Sequence, residues 1–419
     1  MFFLKKLINS PSFRTLGVFA GGNFLIAVLS GLGGLIQARW IDPEVFGEFR
    51  TFGILTSYLT IGLVLVHDGL MRQYPYLLGQ GNKVDALRVA GTAKWWYLLV
   101  SWCFSFLFAG LSLTSFLQGD FRAAVGWSVQ ILVVWGTIYG AYLGVMYRTS
   151  SDFKRLTYNS TIASVFGFGA LVIVKVWGYW GLAVRAALSN IVALYVSRRY
   201  VPVKVKAKFD VRGLIDLAKI SLPLSIPGYI GTSFLTASMS FIVLKYCGQH
   251  GLGIYGTAFT FQAMAMTLTT AIHQMFSTKL TYKFGETEDV AACLKWARRP
   301  TLLSVAAATV LAVALCIMID PFIRLVLPKY IDAIPVIQIL SISLPLAALQ
   351  LPLIILRTAL WYKSVISLTA IRVLVSLLTV AVLPKTLIVI VGSLLLGDVC
   401  AMIVGFSILN YKKRNKRVE

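Results

Sequence analysis

Arg39-Trp40-Ile41-Asp42-Pro43-Glu44-Val45-Phe46-Gly47-Glu48-Phe49-Arg50-Thr51 returns, at an offset of 206, as Lys245-Tyr246-Cys247-Gly248-Gln249-His250-Gly251-Leu252-Gly253-Ile254-Tyr255-Gly256-Thr257. Cationic, aromatic, glycine and threonine positions coincide. A second match, at an offset of 209, sets Arg148-Thr149-Ser150-Ser151-Asp152-Phe153-Lys154 over Arg357-Thr358-Ala359-Leu360-Trp361-Tyr362-Lys363. Both offsets are about half of the 419 residues, which predicts two tandem bundles of similar orientation. In hydrophobic chains this arrangement places a substrate cavity at the repeat interface.

Outward from each copy the chain is strongly apolar. It is 58% hydrophobic and 13% charged, with a mean hydropathy of +0.79, too little polar surface for a soluble fold of this size. Apolar runs of about 18 to 24 residues match the ~20 residues of helix that cross ~30 Å of hydrocarbon. Twelve such runs are read, at about 16–37, 47–66, 94–113, 124–147, 158–175, 179–196, 219–244, 254–276, 301–319, 335–356, 365–383 and 387–410. The expected fold is all-α and integral to the membrane, with about twelve transmembrane helices in two six-helix lobes. Residues 1–196 form the first lobe, 197–218 a cytoplasmic linker, 219–410 the second lobe and 411–419 a basic tail.

The formal charge of +23 would suggest nucleic acid in a soluble protein, but its distribution explains it otherwise. With the N-terminus inside, about 29 of the 39 Lys and Arg fall in cytoplasmic segments, including Lys5, Lys6, Arg198, Arg199, Lys204, Lys206, Lys208, Arg298, Arg299, Lys412, Lys413, Arg414, Lys416 and Arg417. That is the positive-inside asymmetry, and it implies an even number of spans with both termini cytoplasmic. The basic tail reads as a topology anchor, and no nucleic-acid partner is implied. Residues 1–10 precede a full-length apolar run without a small-residue cleavage pattern, so the first helix is expected to be retained. Cys103, Cys316 and Cys400 fall in spans, Cys293 inside and Cys247 outside, which implies neither a disulfide framework nor a metal site.

The linker is basic and carries Pro202. Its stretch Phe209-Asp210-Val211-Arg212-Gly213-Leu214-Ile215-Asp216-Leu217-Ala218-Lys219 spaces apolar groups helically, which suggests a short helix along the inner surface. The seventh span opens on Ser221-Leu222-Pro223-Leu224-Ser225-Ile226-Pro227-Gly228, and the tenth carries Pro335, Pro345 and Pro352. Proline removes a backbone donor and kinks a helix, either as static shape or as a bending point.

Ionisable groups at membrane depth are costly, so they are the default candidates for function. Arg372 and Asp398 stand on consecutive spans, each about thirteen residues from the turn at Pro384-Lys385, hence roughly 20 Å deep on both sides. They can pair across the hairpin, or Arg372 can offer an anion site with Asp398 positioning it or coupling an ion. Arg185 lies near the outer end of the sixth span, where its stem is long enough to snorkel to the interface. Facing inward instead, it would join Arg372 as a forked receptor for phosphate or diphosphate. His273, near the inner end of the eighth span, is either a titrating relay or hydrogen-bonded packing. Arg50 and Lys245 flank the outer mouth. His67, Asp68 and Arg72 read as a solvated helix end where the second span leaves the membrane, which leaves the first lobe without a deep acid.

No metal-ligand spacing, paired carboxylates, Walker loop, nucleophile elbow or cofactor motif occurs, so transport cannot be driven by nucleotide bound on this chain. A glycan polymerase, ligase or acyltransferase acting on glycolipids is the remote enzymatic reading.

Ala38 to Phe49, following a glycine-rich first span, resembles the corresponding stretch in Wzx-type polysaccharide and O-antigen flippases. These belong to the multidrug, oligosaccharidyl-lipid and polysaccharide exporter superfamily. Gly251-Leu252-Gly253-Ile254-Tyr255 and Lys219-Ile220-Ser221-Leu222-Pro223-Leu224 look similar too. The resemblance covers the whole chain in length and span count, and implies a MATE-like architecture. It also implies movement of undecaprenyl-diphosphate-linked oligosaccharide to the outer leaflet of a bacterial inner membrane, for lipopolysaccharide or another surface polysaccharide. Polysaccharide polymerase and chain-length proteins are further candidate partners. Peptidoglycan-precursor flippases of the superfamily usually have fourteen spans, and this chain has no room for two more. A cation-coupled multidrug exporter of the same superfamily is the alternative. No site residue is carried over from the resemblance: Arg185, Arg372, Asp398, His273, Arg50 and Lys245 rest on the reading above.

Overall fold

The segments Gln80-Gly81-Asn82 and Gln118-Gly119-Asp120 show how the sequence turns the chain back across the membrane. Gly81 and Gly119 have φ of 78° and 79°, the left-handed conformation that glycine enters without Cβ strain. The N–H groups of Gly119 and Asp120 donate to the carbonyls of Phe116 and Ser115, each at 3.0 Å, and those of Gly81 and Asn82 donate to Leu78 and Leu77 in the same pattern. The last carbonyls of one helix are thereby satisfied. The residue after each glycine then caps the next helix: Asn82 accepts from the Asp85 N–H at 3.2 Å and Asp120 from the Ala123 N–H at 2.9 Å.

The computed structural model describes residues 11–415 apart from 151, 288 and 360. Lys5, Lys6, Lys416 and Arg417 of the basic termini lie outside the described residues. The elements are α1 (Pro11–Trp40), α2 (Pro43–Leu59), α3 (Ile61–Val64), α4 (His67–Gly79), α5 (Lys83–Leu117), α6 (Phe121–Val134), α7 (Gly140–Thr149), α8 (Phe153–Gly169), α9 (Leu171–Trp177), α10 (Tyr179–Arg199), α11 (Val211–Tyr229), α12 (Leu235–Thr287), α13 (Val290–Val326), α14 (Ala333–Ser341), α15 (Ser343–Leu349), α16 (Ile354–Thr358), α17 (Tyr362–Val382) and α18 (Leu387–Asn415). Two π-turns, Trp135–Tyr139 and Ile230–Phe234, interrupt the fourth and seventh spans.

Ten helices among the described residues are long and apolar enough to cross a membrane, and the pair Ala333–Leu349 and Leu351–Arg357, bent by 48°, makes an eleventh. One of the ten, Val211–Thr267, has 57 residues. At 1.5 Å per residue it would extend about 85 Å, nearly three times the hydrocarbon thickness of about 30 Å. Gly248 breaks it with φ 68° and ψ −170°, so it is two helices joined at a kink, and with each counted as a crossing the total matches the twelve expected. The bend in the tenth span falls among its prolines. In the seventh, α11 continues through Pro223 and Pro227, and the distortion emerges just beyond them as the π-turn. The separate surface helix expected near Phe209–Lys219 does not form. Its apolar spacing is in phase with the span that follows and no breaker intervenes, so α11 runs unbroken from Val211 to Tyr229.

By contact the chain divides into two compact units, Met1–Ile41 with Phe49–Tyr229, and Asp42–Glu48 with Ile230–Glu419. The first is centred on Leu70, Tyr97, Phe108, Ile138, Tyr142, Met146 and Leu217, all essentially inaccessible. The second has one core around Leu280, Val290, Cys293, Leu351, Ile355 and Leu409, and another around Ala308, Ala312, Leu344 and Ala348. Large apolar side chains elsewhere face outward, as on α13, where Leu303 and Val310 are 73% and 71% exposed. Such faces need hydrocarbon rather than water around them.

The basic linker is pinned to the first unit. Arg88 Nε contacts Asp210 Oδ2 at 2.6 Å, Lys94 Nζ donates to the Val205 carbonyl at 2.7 Å, and the Lys208 N–H donates to the Gly91 carbonyl at 3.1 Å. Trp95 packs against Phe209 with ring centroids 4.4 Å apart and planes tilted by 44°. The Gly213 N–H, followed by the Arg88 guanidinium, holds the Asp210 carboxyl below the usual carboxylate range. A carboxyl lowered on docking stabilises the docked state above its free value, and that contribution is lost as pH falls through the lowered one. Amide exchange over 201–210 should therefore be insensitive to pH-dependent undocking between about pH 5 and 8, with loosening only below about pH 4. Arg88→Ala should raise exchange there at neutral pH, as read by mass spectrometry.

Candidate functional site

Gly397 decides how close α17 and α18 come. A Cβ there would overlap Ser376 Oγ and lie 2.6 Å from the Arg372 carbonyl, so the bare glycine admits the neighbouring backbone next to Asp398. Ser376 Oγ, fully buried, donates to the Ser393 carbonyl at 3.1 Å and ties the same two helices. Arg372 and Asp398 meet as the hairpin geometry predicts: Nε stands 2.7 Å from Oδ1 and Nη2 donates to Oδ2 at 3.4 Å. The Nε–H points off the carboxylate, so charge attraction and the Nη2 bond hold the pair.

The third partner of Arg372 could not be read from the sequence. Nη1 donates to the Gly231 carbonyl at 2.9 Å, and Gly231 lies in the π-turn Ile230–Phe234. A π-turn shifts the hydrogen-bond ladder and frees backbone acceptors, here beside Thr369 of α17, whose methyl would stand 3.1 Å from a Cβ on Gly231. The guanidinium is thus shared between a carboxylate and a carbonyl made available by the distortion that follows two prolines.

In the first unit Arg185 does not snorkel. Nε donates to the Gly167 carbonyl at 2.9 Å and Nη1 donates to Oε1 of Gln37, which is 7% exposed. Gly33, one turn before Gln37, leaves room on α1, since a Cβ there would meet Arg185 Nη2 at 3.5 Å. Two neutral acceptors satisfy the guanidinium better than a stretch to the interface would. No carboxylate pairs with Arg185 among the described residues, so its charge is uncompensated.

The segment read as a solvated helix end is instead packed. The second span breaks between α3 and α4, where Val66 has φ −131°, and the helical stretch runs on to Gly79, past the expected exit at residue 66. Asp68 Oδ2 accepts from Ser225 Oγ at 2.6 Å, and the Val64 carbonyl, freed at the break, accepts from Ser221 Oγ at 2.8 Å. His67 Nδ1 lies 2.9 Å from the Tyr97 hydroxyl. The signal in the sequence was the spacing of Ser221 and Ser225, which puts two hydroxyls on one helix face.

Lys245 and Lys385 place their ammonium groups 5.4 and 5.7 Å from the ring centre of exposed Tyr246, a cation–π pairing near the turn. His273, on α12, has a buried Nε2 with no hydrogen-bond partner among the described residues. Arg50 stands on α2, in the first unit.

No curated protein sequence matches the chain. In fold it is similar to a multidrug resistance MATE family transporter of the MOP superfamily in its inward-facing conformation, with 16% identity and a TM-score of 0.71 over 93% of this chain and 95% of the other. The outward-facing conformation of such a transporter aligns with a TM-score of 0.61 at 16% identity over 99% of both chains. A MOP superfamily transporter from Pyrococcus furiosus, described as having a binding pocket of reverse polarity, aligns with a TM-score of 0.62 at 14% identity over 98% of this chain and 97% of the other. The MATE-like architecture implied by the sequence is thereby shown. The family described as polysaccharide biosynthesis protein matches residues 36–329, well over half of the chain. The protein belongs to that family, as a multi-pass membrane chain built on the MATE fold.

Proposed function

We propose that this protein moves undecaprenyl-diphosphate-linked oligosaccharide from the inner to the outer leaflet of a bacterial inner membrane by alternating access, and makes or breaks no covalent bond. Membership of a polysaccharide biosynthesis family supports a glycan cargo. The observation that carries the choice of an anionic, lipid-linked cargo is Arg185, an intramembrane cation held only by the neutral groups of Gln37 and Gly167. An unpaired guanidinium at depth is favoured only where an anion visits it. A diphosphate supplies that anion, and the polyprenyl tail stays in lipid. On this reading the lobes 1–196 and 219–410 alternate, with cytoplasmic termini. Arg372 is a second anion-binding group, released when Asp398 is otherwise neutralised, and Arg50 and Lys245 flank the outer mouth.

A second reading, cation-coupled export of cationic drugs, gains from Asp68, which the structure places in a packed polar cluster of the first unit. One experiment separates the two. In proteoliposomes carrying fluorescent polyprenyl-diphosphate disaccharide, Arg185→Gln should slow leaflet exchange by about tenfold or more, since a charge-assisted contact contributes about 1.5–3 kcal/mol. Arg185→Lys should be intermediate, because an ammonium keeps the charge but loses the fork. Cationic-dye efflux by the wild type, with no glycolipid movement, would overturn the proposal.

A further inference from the structure

Where α5, α7 and α10 meet the pinned linker, the first unit forms an open cavity of about 510 Å³, within the usual range of small-molecule sites, about 300–1,000 Å³. Lys94, Arg198, Arg199 and Lys204 line it, and no carboxylate does. Lys94 is braced by the Val205 carbonyl at 2.7 Å, while Arg198 and Lys204 have no acidic partner among the described residues. Tyr142 also lines the cavity. It is 2% exposed, and its buried hydroxyl has no hydrogen-bond partner among the described residues.

Gathering four cations without an acid is costly through mutual repulsion. That cost is relieved if the cavity receives an anion with several acceptor oxygens. The linker contacts keep the wall of the cavity, at Val201, Val203 and Val205, closed against the helices, so the four cations are held in place rather than left on a mobile loop. By the charge asymmetry of the sequence this end of the unit is cytoplasmic, where anionic headgroups are abundant and basic pockets between helices capture them.

We propose that this cavity is a binding site for the phosphate or diphosphate group of a membrane lipid, with Arg198, Lys204 and Lys94 contacting phosphate oxygens. The chemistry is shared by anionic phospholipid headgroups and polyprenyl diphosphates, and binding at this site requires no transport by the protein.

The test is native mass spectrometry of the full chain in detergent, titrated separately with short-chain phosphatidylglycerol, farnesyl diphosphate and short-chain phosphatidylcholine. Wild type should bind at least one phosphate-bearing anion more tightly than phosphatidylcholine, with affinity falling as salt rises. Arg198→Gln with Lys204→Gln should weaken that binding about tenfold. Arg324→Gln, at an exposed pair with Asp320 elsewhere, should leave it unchanged. Preference for phosphatidylglycerol would assign a phospholipid site, and preference for farnesyl diphosphate a site for the diphosphate of a carrier lipid. Equal binding of all three lipids, or affinity unaltered in the double variant, would overturn the proposal. If the double variant does not fold, Lys204→Gln alone, on the linker, and the salt dependence of the wild type give the same decision.

Discussion

Replacing Arg372 by Met, or Asp398 by Leu, is expected to destabilise the protein by about 2–4 kcal/mol, and replacing both should recover most of the loss. Removing one member of a buried pair leaves the other charged and unpaired in a low dielectric, which typically costs about 3–5 kcal/mol, whereas an apolar pair of similar volume is often neutral. The side chains are 32% and 19% exposed, so the lower part of that range applies. The Gly231 carbonyl loses its donor in both the Arg372 single and the double variant, so recovery should fall short by about 1 kcal/mol. Unfolding in detergent gives the coupling energy, and leaflet exchange by the same proteins gives the role. If the pair only holds α17 to α18, the double variant regains transport along with stability. If Arg372 meets the substrate, the double variant regains stability and stays inactive.

The architecture was legible because it rests on periodicities that a membrane enforces. Apolar runs of span length are dictated by hydrocarbon, and the turns at Gly81 and Gly119 follow from glycine at the helix end and a capping residue after it. The Arg372–Asp398 pair was legible too, since equal distance from a tight turn puts two residues of a hairpin at one depth. What escaped was set by backbone irregularity and by the choice of partner. The break before Val66 has no proline or glycine of its own, so the second span was cut short and Asp68 was left outside it. The π-turn that offers the Gly231 carbonyl lies beyond the prolines rather than at them. Arg185 was expected to snorkel because its depth allows it. That its guanidinium stays inside follows from Gln37 and Gly167, two neutral groups on other helices whose proximity no local pattern announces. The linker kept its basic character, but its docking through Arg88, Lys94 and Phe209 depends on contacts more than a hundred residues apart in the chain.

The repeated segment itself yields the second large effect. A Cβ on Gly47 would overlap the Gln249 carbonyl, and a Cβ on Gly253 would overlap the Pro43 carbonyl. Gly47 and Gly253 are equivalent positions of the repeat, and so are Pro43 and Gln249, so the two copies approach through one contact made twice about a local two-fold. The residues in contact, within Asp42–Glu48 and at Gln249 and Gly253, belong to the second compact unit, where Lys329 also reaches Asp42 at 2.8 Å, an exposed ion pair that contributes at most about 1 kcal/mol. The backbone approach dominates, since main chain can move aside only by separating the two segments. Gly47→Ala and Gly253→Ala should each cost about 3 kcal/mol, at the upper end of overpacking penalties. The two effects should be strongly sub-additive, because the displacement forced by the first methyl already makes room for the second. Thermal unfolding of the two single variants and the double variant measures this directly. Equal single losses with a double loss near either one confirm a single shared approach. Full additivity would show that the two glycines are crowded independently, and that the repeat marks common ancestry without a common contact.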